Sequence, residues 1–124
     1  MKILIFGGAG FIGHHLTNQL QHKHDILVYD NFSIFGVRHE VQKHKIIQGR
    51  TKNWFNVKTV NGSIIENSLI QHTFNTFKPD VVVNLAAYPR VSLSEQYPVL
   101  SAEGMIRGLI NTMAYDVKKY VHVS

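Results

Sequence analysis

The chain has 124 residues, 44% of them hydrophobic, enough for one domain that buries about two-thirds of its unfolded surface. It holds no cysteine, which excludes a disulfide framework, and its opening apolar run is too short for a secretory leader or a membrane span, so the expectation is a cytoplasmic protein with no membrane partner. Lysine and arginine outnumber acids 13 to 8 for a formal charge of +5, with six of those bases between Arg38 and Lys58, which invites anionic partners.

The first apolar run, Ile3 to Phe6, reads as a buried strand, and the glycine-rich FGGAGFIG (Phe6 to Gly13) follows it directly. Phe11, Ile12, His15, Leu16 and Leu20 then recur at three- and four-residue spacing, which predicts a helix packed on a sheet through those side chains. DILVYD (Asp25 to Asp30) is the second strand. The connection from Asn31 to Phe55 is poorly patterned and reads as loop with at most a short helix, after which NVKTVNG (Asn56 to Gly62) alternates as a strand does. Leu69, Ile70, Phe74 and Phe77 mark a second helix, closed by Pro79. DVVVNLAA (Asp80 to Ala87) is another strand, SLSEQYP (Ser92 to Pro98) a helix entry with Ser94 as its cap, and a third helix runs from Pro98 to about Asp116. KYVHVS (Lys119 to Ser124) is the last strand. Strands alternating with helices require crossover connections, so the expected fold is α/β, a doubly wound parallel sheet of about five strands in a single domain spanning residues 1–124.

The glycines acquire a chemical meaning from their position. They leave the first strand and open the first helix, and Asp30 closes the second strand 20 residues after Gly10. Helix N-termini present unpaired N–H groups and the positive end of a dipole, which suits a pyrophosphate. A side chain at Gly7, Gly10 or Gly13 would obstruct the turn, the ligand or the approach of the helix to the sheet. Asp30 can accept both hydroxyls of a ribose and would repel a 2′-phosphate, so the arrangement favours NAD over NADP.

ILIFGGAGFIGHHL, VYDNFS, FKPDVVVNLAA and KYVHVS together resemble the extended short-chain dehydrogenase/reductase family, in its NAD-dependent epimerase/dehydratase branch acting on nucleotide sugars. The resemblance implies a Rossmann-like fold and assigns cofactor-binding roles by position. Gly7, Gly10 and Gly13 match the branch's Gly-x-x-Gly-x-x-Gly, with the N–H groups of Phe11 and Ile12 on the pyrophosphate. Asp30, followed by Asn31, matches the acid after the second strand. Gly62, Ser63 and Ile64 fall where the branch carries Gly-Asp-Ile beside the adenine, serine standing in for aspartate. Leu85, Ala86 and Ala87 match the small strand end that lets the nicotinamide-side ribose pass, with Tyr88 as a wall.

The same resemblance exposes departures. Gly104 and Met105 stand where the branch usually has an active-site asparagine, and the segment from Asn111 to Val117 is about four residues short. The branch's fifth strand leads into a serine pair and later a Tyr-x-x-x-Lys, whereas the sequence reaches only Ser124, which the resemblance implies is the first of that pair, so the expectation is a portion that lies before the substrate domain. Tyr115 and Lys119 have the literal Tyr-x-x-x-Lys spacing, but the residues between them cross from helix into strand, and two groups so divided cannot share the helix face that proton transfer needs. No residue is therefore assigned to catalysis. Two readings stay open: the NAD-binding part of a nucleotide-sugar epimerase or dehydratase, an isomerase-type chemistry completed outside this chain, or a non-catalytic module that senses the dinucleotide or binds a partner, homo-oligomers included. The eight histidines show no zinc-site spacing. The basic stretch from Val37 to Lys58, with Trp54 and Phe55, fits a loop beside the adenosine or a partner contact better than a nucleic-acid surface.

Overall fold

In the computed structural model, which describes residues 1–34, 39–87 and 95–123, strands and helices alternate along the chain. Strands β1 (Lys2–Phe6), β2 (Asp25–Asp30), β3 (Val57–Asn61), β4 (Val81–Asn84) and β5 (Lys119–His122) form one parallel sheet, in the order β3-β2-β1-β4-β5. Helices α1 (Phe11–Leu20), α2 (Glu40–Thr51) and α3 (Asn67–Phe77) make the first three crossovers. The fourth contains α4 (Pro98–Ala102), a π-helical turn (Glu103–Arg107) and α5 (Gly108–Met113), which follow one another without a break.

The central strands are apolar between their polar ends because both sides of the sheet are covered. Leu4, Phe6, Leu27, Tyr29 and Val82 meet Ile70, Phe74 and Phe77 of α3 on one face. Ile3, Ile5, Ile26, Val28 and Val83 meet Leu16 and Leu20 of α1, together with Trp54, on the other. Each such side chain, when fully buried, stabilises the fold by about 1.5–3 kcal/mol. β3 lies at an edge, and its Lys58, Thr59 and Asn61 are exposed while Val57 and Val60 are half-buried.

Three local expectations change. The connection expected as loop contains the twelve-residue helix α2. None of its residues is buried, so it lacks the apolar stripe by which a helix is recognised in a sequence. Helix α1 is rotated relative to the face expected of it: Gly13 and Thr17 are buried, whereas Phe11 and Ile12 are 71% and 62% exposed. The cause is steric. A Cβ on Gly13 would run into the Gly7 carbonyl oxygen and come within 2.7 Å of the Gly8 Cα, so only a glycine lets α1 sit this close to the preceding turn. That contact, rather than the apolar period, fixes the helix's rotation. The last helix also ends earlier than expected, at Met113.

Gly13→Ala should therefore lower unfolding free energy by about 2 to 3 kcal/mol through overpacking against backbone. Gly49→Ala, on α2 with nothing within 4 Å of the added methyl, should raise it by about 0.5–1 kcal/mol. Urea denaturation of both variants checks the pair, since a purely propensity-driven effect would stabilise both.

Candidate functional site

The crossovers leave β1 and β4 in opposite directions, and the C-terminal ends of these adjacent strands flank a crevice where sheets of this kind take ligands. Gly7 enters it with φ +76°, a left-handed conformation that glycine alone adopts without strain. Its N–H donates to the Tyr29 carbonyl at 2.9 Å, and a Cβ there would lie 2.8 Å from the Ala86 nitrogen. The turn after β1 is thus pressed against the chain leaving β4. Gly10 differs: its added Cβ would meet only the Gly7 carbonyl oxygen, at 3.1 Å, and so faces space that the protein does not fill. Gly10 precedes α1 without a side-chain cap, so the first-turn N–H groups of Phe11, Ile12 and Gly13 have neither a capping side chain nor an acceptor one turn earlier in the helix. Among the described residues the first turn carries no acid, and the dipole's positive end is left for an external anion.

Asp30 stands at the end of β2 beside this turn. Its Oδ2 accepts the Ala9 N–H at 2.9 Å and its Oδ1 the Phe32 N–H at 2.8 Å. Burial lifts the Asp30 pKa above the ordinary carboxylate value, and the Ala9 and Phe32 N–H groups and the Arg50 charge offset that in part. Asn31 turns its own Oδ1 to the Ser33 N–H at 3.1 Å and the Ser33 hydroxyl at 2.8 Å, an Asx turn that shapes the chain leaving β2. Arg50, on α2, donates from Nη1 to the Ala9 carbonyl at 3.2 Å. The sequence placed it among six scattered bases, and no spacing tied it to the glycine turn.

The segment from Ser63 to Glu66, expected beside the adenine, is tightly organised. The Ser63 N–H donates to Glu66 Oε1 at 3.1 Å, the Glu66 N–H to the Ser63 carbonyl at 3.0 Å, and the Ile65 N–H to Ser63 Oγ at 3.4 Å. The Tyr29 hydroxyl also donates to the Ser63 carbonyl, at 2.8 Å. A Cβ on Gly108 would strike the Ile64 side chain, and Asn111 Nδ2 donates to the Ile64 carbonyl at 2.9 Å, so this segment is clamped onto α5. On the β4 side, Leu85 packs on the α1 face of the sheet and its N–H donates to the Phe6 carbonyl at 2.9 Å. Ala86 N–H donates to Asn84 Oδ1 at 3.1 Å, and Ala87 is exposed. Tyr88, Ser94 and Ser124 lie outside the described residues.

Tyr115 and Lys119 stand elsewhere. Tyr115 follows the end of α5 and stacks on Phe74, with ring centroids 4.0 Å apart and planes 13° from parallel. Lys119 opens β5 opposite Val81, the first residue of β4. Both therefore lie toward the N-terminal ends of the strands, opposite the glycine turn. Met105, where an active-site asparagine was sought, lies in the π-helical turn and is 54% exposed.

Residues 4–120 match the family model for GDP-mannose 4,6 dehydratase. The dTDP-D-glucose 4,6-dehydratase of Dictyostelium discoideum is 34% identical over 130 residues, covering 99% of this chain but 28% of the relative. The crystal structure of UDP-glucose 4-epimerase with UDP-glucose from Thermotoga maritima superimposes with a TM-score of 0.77 at 30% identity, over 98% of this chain and 37% of that one. The UDP-glucose 4-epimerase of Thermus thermophilus, in complex with NAD, gives 0.73 at 28% identity, over 92% and 33%. The chain thus spans about a third of the length of these relatives.

The space around each glycine separates the tolerant position from the intolerant one. Gly10→Val should fold with a melting temperature within a few degrees of the parent. Gly7→Val should lose at least about 2 kcal/mol, because it combines a left-handed backbone with a backbone clash. Circular dichroism melts of the two variants make the comparison.

Proposed function

The chain belongs to the GDP-mannose 4,6 dehydratase family, in the epimerase/dehydratase branch of the extended short-chain dehydrogenases/reductases, and on that premise we propose that residues 1–124 form an NAD-binding domain. One observation carries the reading: the uncapped N-terminus of α1 opens beside Gly10, next to the carboxylate of Asp30. The residues present fit the dinucleotide. The first-turn N–H groups of Phe11, Ile12 and Gly13 receive the pyrophosphate, and Asp30 the adenosine ribose. Asn31 shapes the ribose edge, Ser63 and Ile64 line the adenine, and Leu85, Ala86 and Ala87 border the nicotinamide-side ribose. Bound NAD supplies a hydride acceptor. The chain's own part is to bind and orient it.

In a longer form or assembly, the substrate is a nucleotide sugar and the reaction an epimerisation or dehydration, carried out in the cytoplasm, with a homo-oligomer as its setting. The isolated chain does not turn over such a sugar, since Tyr115 and Lys119 lie at the wrong end of the sheet. No helix of the described residues is long and apolar enough to cross a membrane.

Calorimetry should find NAD bound more tightly than NADP, Asp30→Ala should narrow that gap by about tenfold, and Gly10→Val should abolish the thermal shift produced by NAD. Equal affinities in the parent chain would overturn the assignment of Asp30. The pH dependence follows from the direction of its shift. A raised pKa means that Asp30's contribution to stability is present below its unfolded value, about 3.9, and is lost as pH rises through the folded value. Ribose hydroxyls donate to the ionised form, so NAD affinity should fall as pH drops through the Asp30 titration, with a proton released on binding in that window. Asp30→Ala should lose this dependence.

Incubating the purified chain with NAD and UDP-, GDP- or dTDP-sugars should give no epimer, dehydrated sugar or NADH. Loss of a positioned general base alone removes about two to four orders of magnitude in rate. Turnover above that of Tyr115→Phe would overturn the proposal and return Tyr115 to the chemistry.

A further inference from the structure

The buried residues of α5 are Gly108, Asn111 and Thr112, while its Ile110 and Met113 are exposed, so the covered part of this helix is small or polar. Its two buried polar side chains are neighbours in sequence but serve different segments. Asn111 Nδ2 donates to the Ile64 carbonyl at 2.9 Å. Thr112 Oγ1 accepts from Asn84 Nδ2 at 3.2 Å, and Asn84 Oδ1 accepts the Ala86 N–H at 3.1 Å. The glycine turn rests on that same peptide, since a Cβ on Gly7 would lie 2.8 Å from the Ala86 nitrogen.

The bonds around Asn84 have a direction, and Thr112 sets it. A hydroxyl can donate or accept, so Thr112 and Tyr120 could in principle meet either end of the amide. The Thr112 hydroxyl, however, donates to the Leu109 carbonyl at 3.0 Å, which leaves its oxygen as an acceptor. The Tyr120 hydroxyl, 2.8 Å away, then donates to that oxygen and is itself left as an acceptor toward Asn84. Facing two acceptors, the amide turns Nδ2 to both and Oδ1 to Ala86. Without the Thr112 hydroxyl, the Tyr120 proton is free to meet Oδ1. Nothing then prevents the amide from reversing and setting its NH₂ against the Ala86 N–H, donor to donor. Without the Tyr120 hydroxyl, Thr112 still receives Nδ2 and the direction survives.

We propose that Thr112 is a positioning residue for the nicotinamide half of the dinucleotide, acting through Asn84 on the Ala86 peptide against which that half lies. The inference rests on the NAD-binding reading of the crevice and deepens it. Calorimetric titration of the 124-residue chain with NAD and with ADP, which lacks the nicotinamide-side ribose, tests it. The readout is the ratio of the two dissociation constants, because general destabilisation weakens both ligands alike. Thr112→Val keeps the volume and should weaken NAD relative to ADP by about fivefold, the worth of one hydrogen bond. Thr112→Ser, which restores the hydroxyl, should return the ratio to near that of the parent. Tyr120→Phe should shift it less, by about threefold, and carries the test if the valine variant does not melt cooperatively. Asn111→Leu disturbs the same helix through Ile64 and should leave the ratio unchanged. Without ligand, the Ala86 amide should exchange with solvent faster in Thr112→Val than in the parent. An unchanged ratio or an equally protected Ala86 amide overturns the role of Thr112. So does a shift in Thr112→Ser or Asn111→Leu as large as in Thr112→Val. Failure of the parent to bind either NAD or ADP overturns the nucleotide reading itself, and the proposal with it.

Discussion

The closure of the turn after β1 onto its surroundings is the constraint on which the rest of the molecule depends. Gly7 must take a left-handed conformation and lie against the Ala86 backbone, and Gly13 must bring α1 down onto the Gly7 carbonyl. These two approaches join the exit of β1, the first turn of α1 and the chain leaving β4 into one rigid corner. Since α1 is seated by that corner, its Leu16 and Leu20 are directed to the sheet while Phe11 and Ile12 remain outside. The uncapped helix end is a separate feature: Gly10 carries no capping side chain, and an added Cβ there would meet only the Gly7 carbonyl oxygen.

The legibility of each element in the sequence tracks how its stabilisation arises. β1, β2 and β4 are covered on both faces and therefore read as continuous apolar runs, and α3 buries Ile70, Phe74 and Phe77 at helical spacing. α2 was not legible because it buries nothing, so its helical state leaves no apolar period. The rotation of α1 was misread for the opposite reason. It has an apolar period, but a steric contact of a residue with no side chain overrides it. The placement of Gly7, Gly10, Gly13 and Asp30 around one turn could be read because it follows from spacing along one strand-turn-helix-strand unit. Arg50 could not, since its link to Ala9 spans 41 residues through a helix of indistinct pattern.

The two ends of the sheet have divided roles. At the N-terminal ends of the strands, Asp80 binds β1 and the entry to β5 together: its Oδ2 accepts the Lys2 N–H at 2.9 Å, its carbonyl the Lys118 N–H at 3.0 Å, and its Oδ1 lies 3.4 Å from Lys118 Nζ. The Lys2 bond foremost, and then Lys118, hold the Asp80 carboxyl below the usual range, the reverse of Asp30. One acid is stabilised as an ion by groups already bonded to it. The other is half-buried and ionises at a cost. The stack of Tyr115 on Phe74 belongs to the first end, where it closes the core rather than facing a crevice.

Polar groups buried beneath the opposite end have their own logic. Asn84, 1% exposed, donates from Nδ2 to the Thr112 and Tyr120 hydroxyls, each at 3.2 Å, and those hydroxyls lie 2.8 Å apart. Three such groups would be costly in an apolar core if any were left unpaired, and together they satisfy one another. What remains of Asn84, its Oδ1, accepts the Ala86 N–H at 3.1 Å. The backbone on which Gly7 rests is thereby set by a chain of hydrogen bonds that begins on α5 and β5. An apolar residue at position 84 could fill the same volume, but it would release Ala86 from that direction. The polar core and the glycine corner are consequently one device, in which the last helix and strand of the described chain determine where the first turn's ligand crevice can open.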